Sequence, residues 1–486
     1  MNPLKKLASQ TAVYGLSQIV GRFVNYLLVP LHTALFDTAD FGINTLMYSY
    51  VTFFNVLLTY GMETAFFRFS QKHDNPNQVY STALTSIIST SLFFGMLFGV
   101  FSPQIANYIN VPQHPEYVIY FTAVIALDAI SAVPFAYLRQ QNKALKFAII
   151  KNINIFTNIL LNLYFLVLCP YVYKTQYGML LPLYDGHLDV GYIFKANLIA
   201  SIITIPLLAK EIFAIRNASF NKTLWRQMLV YGLPLMIVGF AGMINETLDR
   251  IIISYVYTDV QEGLRATGIY GANYKLSILM SLFIQAFRYA AEPFFFNHTK
   301  DNDKRHIYAT VMNYFTLICL GLFLLVTLYI DVFKHFINER YWEGLNVVPI
   351  LLLANMFLGI YYNLSIWYKL SDNTNKGALI STIGAVITVL ANLALVPIWG
   401  YTGSAWATLI CYVSMAVICY VMGAKYYPIP YQVTRLLSYI GFALVLFFAI
   451  RMVNLPNGWL SHLLNGVLIA LFGAITLFAE RKNKIA

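Results

Sequence analysis

Apolar runs of about twenty residues, the length that crosses a bilayer, alternate with short polar breaks along the whole chain. Fourteen such runs can be traced. The first six cover roughly residues 10–36, 41–62, 82–106, 117–138, 148–170 and 190–210. The next six cover 228–257, 267–288, 308–330, 346–368, 377–397 and 403–424, and a last pair covers 435–453 and 459–479. The pattern predicts an all-α polytopic membrane protein with about 14 transmembrane helices. No break on the outer side exceeds about twenty residues, the longest being Tyr171–Asp189. Neither side has room for a folded extramembrane domain, so the chain acts within the membrane.

Basic residues fix a direction for this array. Of the 32 Lys and Arg, 23 fall in the N-terminus, the C-terminus and the breaks on the same side, counting Lys151, Lys210, Arg288 and Arg435 at the adjoining run ends, four fall on the opposite side, and the other five lie within runs. A wrong span count would scramble that alternation, so the bias supports fourteen crossings with both termini cytoplasmic. It also accounts for the formal charge of +11 without nucleic acid as a partner. Composition agrees: 59% of the 486 residues are hydrophobic and 11% charged, against about 25% charged in soluble domains. Soluble multidomain enzymes, disordered chains and secreted disulfide scaffolds are excluded. The four cysteines, Cys169, Cys319, Cys411 and Cys419, sit in apolar runs without metal-ligand spacing and read as buried small hydrophobes. Lys5 and Lys6 precede the first run as in a signal peptide. That run, however, continues to Phe36, carries Arg22 and lacks a small-residue cleavage site, so it reads as a retained span.

The chain also echoes itself. Val13-Tyr14-Gly15-Leu16 opens span one and Val230-Tyr231-Gly232-Leu233 opens span seven. Phe41-Gly42-Ile43 starts span two and Thr267-Gly268-Ile269 starts span eight. Ala65-Phe66-Phe67-Arg68-Phe69 closes the first pair, and Glu292-Pro293-Phe294-Phe295-Phe296 follows the second. Six spans separate the copies, an even number, so the repeat is parallel. Two pseudo-symmetric six-helix lobes follow, residues 1–212 and 213–430, with residues 431–486 as an appended helix pair. Lobes of this kind enclose a central cavity and rock about it.

Some spans carry polar side chains that hydrocarbon does not tolerate. In span one, Tyr14, Gln18, Arg22 and Asn25 recur on one helical face. An arginine at the bilayer centre costs roughly 2.5–3.5 kcal/mol, so this face meets either a structural carboxylate partner or a wet cavity. Span seven carries Asn245-Glu246-Thr247-Leu248-Asp249-Arg250. Glu246 or Asp249 can pair with Arg250; the acid left over can hold a proton near neutral pH if buried, or simply be solvated at the outer interface. In span five, Lys151, Asn154, Asn158 and Asn162 share a face that either glues helices together or lines a cavity. Asp128 in span four and Glu63 at the end of span two are isolated acids, each a coupling-ion site or a packing partner. Lys195 and Lys275 lie near the outer face and read as snorkelling.

Absent motifs narrow the chemistry. There is no phosphate loop, no H-E-x-x-H or paired-Cys metal signature and no G-x-S-x-G elbow. No cofactor and no metal is expected. Asp185, His187 and Asp189 in the longest outer break are the only residues that could serve a membrane glycosyltransferase or polymerase.

Several short motifs carry a resemblance. They are Lys6-Leu7-Ala8 with Val13-Tyr14-Gly15-Leu16 and Gly21-Arg22; Asp37 with Asp40-Phe41-Gly42-Ile43; and Asn245 with Leu248-Asp249-Arg250, Gly268-Ile269-Tyr270 and Tyr274-Lys275-Leu276. In this order and spacing the chain resembles bacterial polysaccharide-biosynthesis transporters, the oligosaccharidyl-lipid flippase branch of the multidrug/oligosaccharidyl-lipid/polysaccharide (MOP) superfamily. The resemblance implies a non-enzymatic flippase of the bacterial inner membrane. Its implied substrate is an undecaprenyl-pyrophosphate-linked oligosaccharide, such as an O-antigen or capsule repeat unit, moved by alternating access. Polysaccharide polymerase and glycosyltransferases are implied as partners alongside the bilayer. On that expectation Arg22 is the first choice for the phosphate and Arg250 the second, because a guanidinium makes forked bonds to phosphate. Gln18, Asn25, Asn154 and Asn158 join them in the substrate cavity, and Glu246, Asp249, Asp128 and Glu63 are the acids available for ion coupling. The rival readings are a drug or cation exporter, which needs an acid-dominated cavity, and a membrane glycosyltransferase or polymerase.

Overall fold

In the computed structural model, residues 19–21, 23–174, 182–214, 219–297, 304–371, 373–453 and 458–485 are described. Among them the chain is helical with no strands. The helices are α1 Ile19–Leu35, α2 Thr38–Ser70, α3 Pro76–Val100, α4 Pro115–Gln140, α5 Ala144–Tyr173, α6 Gly191–Leu207 and α7 Lys222–Val256. They continue as α8 Val260–Leu276, α9 Ile278–Asn297, α10 Lys304–Leu328, α11 Val347–Leu364, α12 Thr374–Tyr426, α13 Val433–Val453 and α14 Trp459–Ile485. Ten of the helical stretches among the described residues are long and apolar enough to cross a membrane, and three shorter apolar helices accompany them.

The expected span boundaries shift at two places. Span eight, expected over 267–288, is built from α8 and α9, joined at Ser277, whose hydroxyl turns back to the Tyr274 carbonyl at 2.7 Å. The first turns of α8 carry Glu262 and Arg265, so hydropathy does not register them. Spans eleven and twelve are both inside α12, which reverses at Gly400 (φ +56°, ψ −142°). Ser404 donates to Asn392 at 2.6 Å and Cys411 to the Gly384 carbonyl at 3.4 Å. In a straight helix these pairs would be about 18 and 40 Å apart; only an antiparallel hairpin brings them together. Gly400 supplies the left-handed backbone that the reversal requires.

Local sequence explains the other breaks. Asp37 caps α2 by accepting from the Asp40 N–H at 2.8 Å, and Asn221 caps α7 by accepting from Leu224 N–H at 3.0 Å. Pro76 and Pro115 sit at the first turns of α3 and α4, where a missing N–H costs nothing. α1 breaks at Leu27–Leu28, just before Pro30. α5 widens into a π turn over Tyr164–Leu168 ahead of Pro170, whose ring would clash with the Leu166 carbonyl in a regular helix.

The chain divides into two compact units, residues 1–268 and 269–486. In the first, α4 packs on α2, α3 and α6, and α5 packs on α6. Its apolar core has two parts. One gathers Phe36, Tyr117, Phe121, Phe165 and Phe194; the other gathers Phe66, Tyr80, Ile125, Leu224 and Met228. Helix α7 belongs to this unit and lies along α2, where Thr52 meets Thr247 at 3.3 Å and Tyr50 meets Tyr255 at 3.0 Å. Gly42 and Gly268 face each other here. A Cβ on Gly42 would collide with the Leu264 carbonyl and approach the Gly268 nitrogen; a Cβ on Gly268 would collide with the Thr38 carbonyl and approach the Gly42 nitrogen. These are the glycines of the two repeated motifs. In the second unit, α11 packs on α9, α10 and α12, and the appended helices α13 and α14 both lie on α10. The four cysteines are buried and unbridged.

Candidate functional site

Helices α2, α4, α5 and α6 meet mainly through apolar side chains, so a polar group turned toward them at membrane depth stands out. Asp128 sits near the middle of α4 and is exposed. Its carboxylate accepts from the Ser201 hydroxyl of α6 at 3.1 Å. A carboxylate that open cannot face hydrocarbon at this depth; it requires water or a polar ligand. Lys151, two turns into α5, is half-buried and places its ammonium 4.3 Å from the centre of the Phe135 ring on α4. It stands in the fields of Asp128 and of the ion pair between Glu63 and Arg139.

The amides extend this wall. Asn154 donates to Thr204 of α6 at 3.0 Å. Asn162 donates to the Asn158 carbonyl at 2.8 Å and to the Asn158 side chain at 3.2 Å, and its own oxygen meets the His32 ring of α1 at 2.9 Å. Asn197 of α6 donates to the Tyr48 hydroxyl of α2 at 3.1 Å. Five helices of the first unit thus contribute hydroxyls, amides, an imidazole, one ammonium and one carboxylate to a polar wall in which Ser201, Thr204, Asn162 and His32 are buried and Asp128 is the exposed member. Its exposed carboxylate and the half-buried Asn154, Asn158 and Lys151 are the groups with surface left for a polar ligand.

The structure brings Asn154, Asn158 and Asp128 together and gives Glu63 a partner in Arg139. On α7, Arg250 pairs with Asp249 at 3.1 Å and donates to the Glu246 carbonyl at 2.6 Å, while the Glu246 side chain is exposed. Of the two pairings open in the sequence, Asp249–Arg250 forms, and both of those side chains are largely buried. Asn25 is exposed on α1; Gln18 and Arg22 lie outside the described residues. Sequence reasoning passed over Asn197, Ser201 and Thr204, although their i, i+4, i+7 spacing marks one face of α6. It also passed over His32 and Tyr48, which no periodicity distinguishes from packing residues.

The loop that leads into α6 is braced by its acids. Asp185 accepts from the Tyr192 hydroxyl at 2.7 Å and the His187 N–H at 3.1 Å. Asp189 accepts from the Gly191 N–H and from Tyr117 at 3.2 Å. Burial opposes the charge on both. On Asp185 the hydrogen bonds and Lys195 prevail and hold the carboxyl below its ordinary value; on Asp189 burial prevails and raises it.

A helical bundle with ten long apolar helices among the described residues defines a multi-pass membrane protein. Residues 7–299 match the family described as polysaccharide biosynthesis protein, and the chain belongs to that family. An uncharacterized membrane protein of Methanocaldococcus jannaschii is 26% identical over 453 residues, covering 85% of this chain and 83% of the relative. The fold is similar to that of the lipid II flippase MurJ in an inward closed conformation, with TM-score 0.67, 16% identity and 98% and 99% of the two chains covered. It is also similar to an inward-facing multidrug resistance MATE transporter of the MOP superfamily, with TM-score 0.64, 14% identity and 85% and 94% covered.

Proposed function

We propose that this chain is a flippase that carries a lipid-linked oligosaccharide, with an undecaprenyl-pyrophosphate anchor, across the cytoplasmic membrane by alternating access of two six-helix lobes. The observation that carries the reading is the polar wall of Asp128, Lys151, Asn154, Asn158 and Ser201 at membrane depth. Amides and hydroxyls of this kind suit the hydroxyls of a glycan, while the polyprenyl tail stays in lipid. The family description, polysaccharide biosynthesis, supports the same substrate class. Arg22 and Arg250 are the guanidinia we assign to the pyrophosphate, with Gln18 and Asn25 beside Arg22. Among the acids considered for ion coupling, Glu63, Glu246, Asp249 and Asp128, we favour Asp128, because it is open within the wall. The cell's polymerase and glycosyltransferases would supply and consume the cargo.

The decisive experiment is lipid extraction after deletion of the gene. A flippase mutant accumulates complete undecaprenyl-linked repeat units facing the cytoplasm. Export of single units without polymerisation would instead identify a polymerase, and an unchanged lipid pool would remove this substrate class altogether.

A further inference from the structure

The appended helices contain a charged cluster that the transport reading does not use. Glu480 of α14 is 4% exposed. It accepts from the Tyr439 hydroxyl at 2.8 Å and from the Asn313 amide of α10 at 3.4 Å. With these donors in place, Arg435 of α13 reaches Glu480 only at 3.5 Å, the long limit of a hydrogen bond. Arg435 lines a cleft of about 690 Å³ between the end of α12 and the start of α13, together with Tyr420, Tyr431, Gln432, Thr434 and Ser438. The Tyr431 hydroxyl is buried and has no hydrogen-bond partner among the described residues.

The cleft continues into a lane along α13. Thr434, Ser438, Gly441, Val445, Phe448 and Met452 are all exposed. Their spacing alternates four and three residues, which is one helix face. That face is polar at the cleft, bare at Gly441 and apolar beyond, with Val445 64%, Phe448 54% and Met452 83% exposed. A Cβ built on Gly441 meets open space.

We propose that this cleft seats the phosphate of an anionic membrane phospholipid, whose acyl chain runs along the α13 lane. Arg435 offers the fork of N–H donors that suits phosphate. The start of α13 adds the positive end of a 21-residue helix. Thr434, Ser438 and the Tyr431 hydroxyl are hydrogen-bonding partners for the ester oxygens. The site stands apart from whatever the chain transports.

The test is thermal unfolding of the purified full chain in a neutral detergent, titrated with dioctanoyl-phosphatidylglycerol. A ligand that binds the native state raises the melting temperature with its concentration. The anionic lipid should stabilise the parent, dioctanoyl-phosphatidylcholine at the same concentrations should do so at least tenfold less effectively, and inorganic phosphate should not. Arg435→Gln should raise the half-maximal lipid concentration at least tenfold, with Arg435→Lys between. Gly441→Trp, which fills the lane without touching the Glu480 cluster, should do the same and keeps the test alive if Arg435→Gln does not fold. Parent-like titration of both Arg435→Gln and Gly441→Trp overturns the proposal. Equal protection by phosphatidylcholine or by inorganic phosphate, or tighter binding of a polyprenyl phosphate, overturns the phospholipid as occupant.

Discussion

Lys151 and Asp128 answer for each other in a setting where neither charge is comfortable alone. Lys151 lies in the field of Asp128, so removing one charge leaves the other uncompensated at membrane depth. In reconstituted vesicles, Asp128→Asn and Lys151→Met should each lower transport at least tenfold, and the double variant should lose less than the product of the two. Strictly multiplicative losses would show that the two side chains act separately. Asp185 makes a different prediction, because its carboxyl is held below the ordinary range. A group with a depressed pKa strengthens the fold above its ordinary value and loses that effect as pH falls through the folded one. Asp185→Asn should therefore speed hydrogen exchange of the loop around residues 182–192 at pH 7. As pH falls below the ordinary carboxylate range and the parent carboxyl takes up its proton, parent and variant should converge. Asp189 carries the opposite sign, so Asp189→Asn should leave the same exchange at pH 7 unchanged or slower.

Helix packing depends on where backbones can touch. Gly42→Ala puts a methyl group against the Leu264 carbonyl and should cost about 1–3 kcal/mol, read as a lower melting temperature in detergent. Gly99→Ala, where the added carbon meets nothing, should leave melting unchanged or slightly raised. Among the elements themselves, the apolar runs were legible in the sequence because twenty-residue hydrophobicity is a strong signal. The two crossings within α12 were legible as separate runs around Gly400. Less visible was the start of α8, since charged turns outside the apolar run look like loop. Asn154, Asn158 and Asp128 were readable as polar groups at membrane depth, but their partners were not. Thr204, Ser201 and Lys151 become partners only when α4, α5 and α6 are folded side by side, and the sequence carries no distance between helices. For the same reason the choice between Glu246 and Asp249 as the partner of Arg250 had to wait for side-chain positions.

For the molecule as a membrane object, the proposed orientation has a direct test. The four native cysteines are buried and give little background to a membrane-impermeant thiol reagent. A single new cysteine at His187→Cys should label in intact cells, whereas Lys72→Cys should label only after the membrane is opened; the reverse pattern would invert the orientation. If the cargo leaves with two negative charges on its pyrophosphate, an inside-negative potential contributes about 2.3 kcal/mol per charge per 100 mV. Transport should then accelerate when vesicles are poised inside-negative, measured with the ion gradients clamped. The meeting of Gly42 with Gly268 carries a further consequence. Each glycine crowds the backbone beside the other, so the contact is reciprocal. With backbone on both sides, the two positions are coupled: a second methyl at Gly268 meets helices already displaced by one at Gly42, so the paired alanine variant should melt little below either single one.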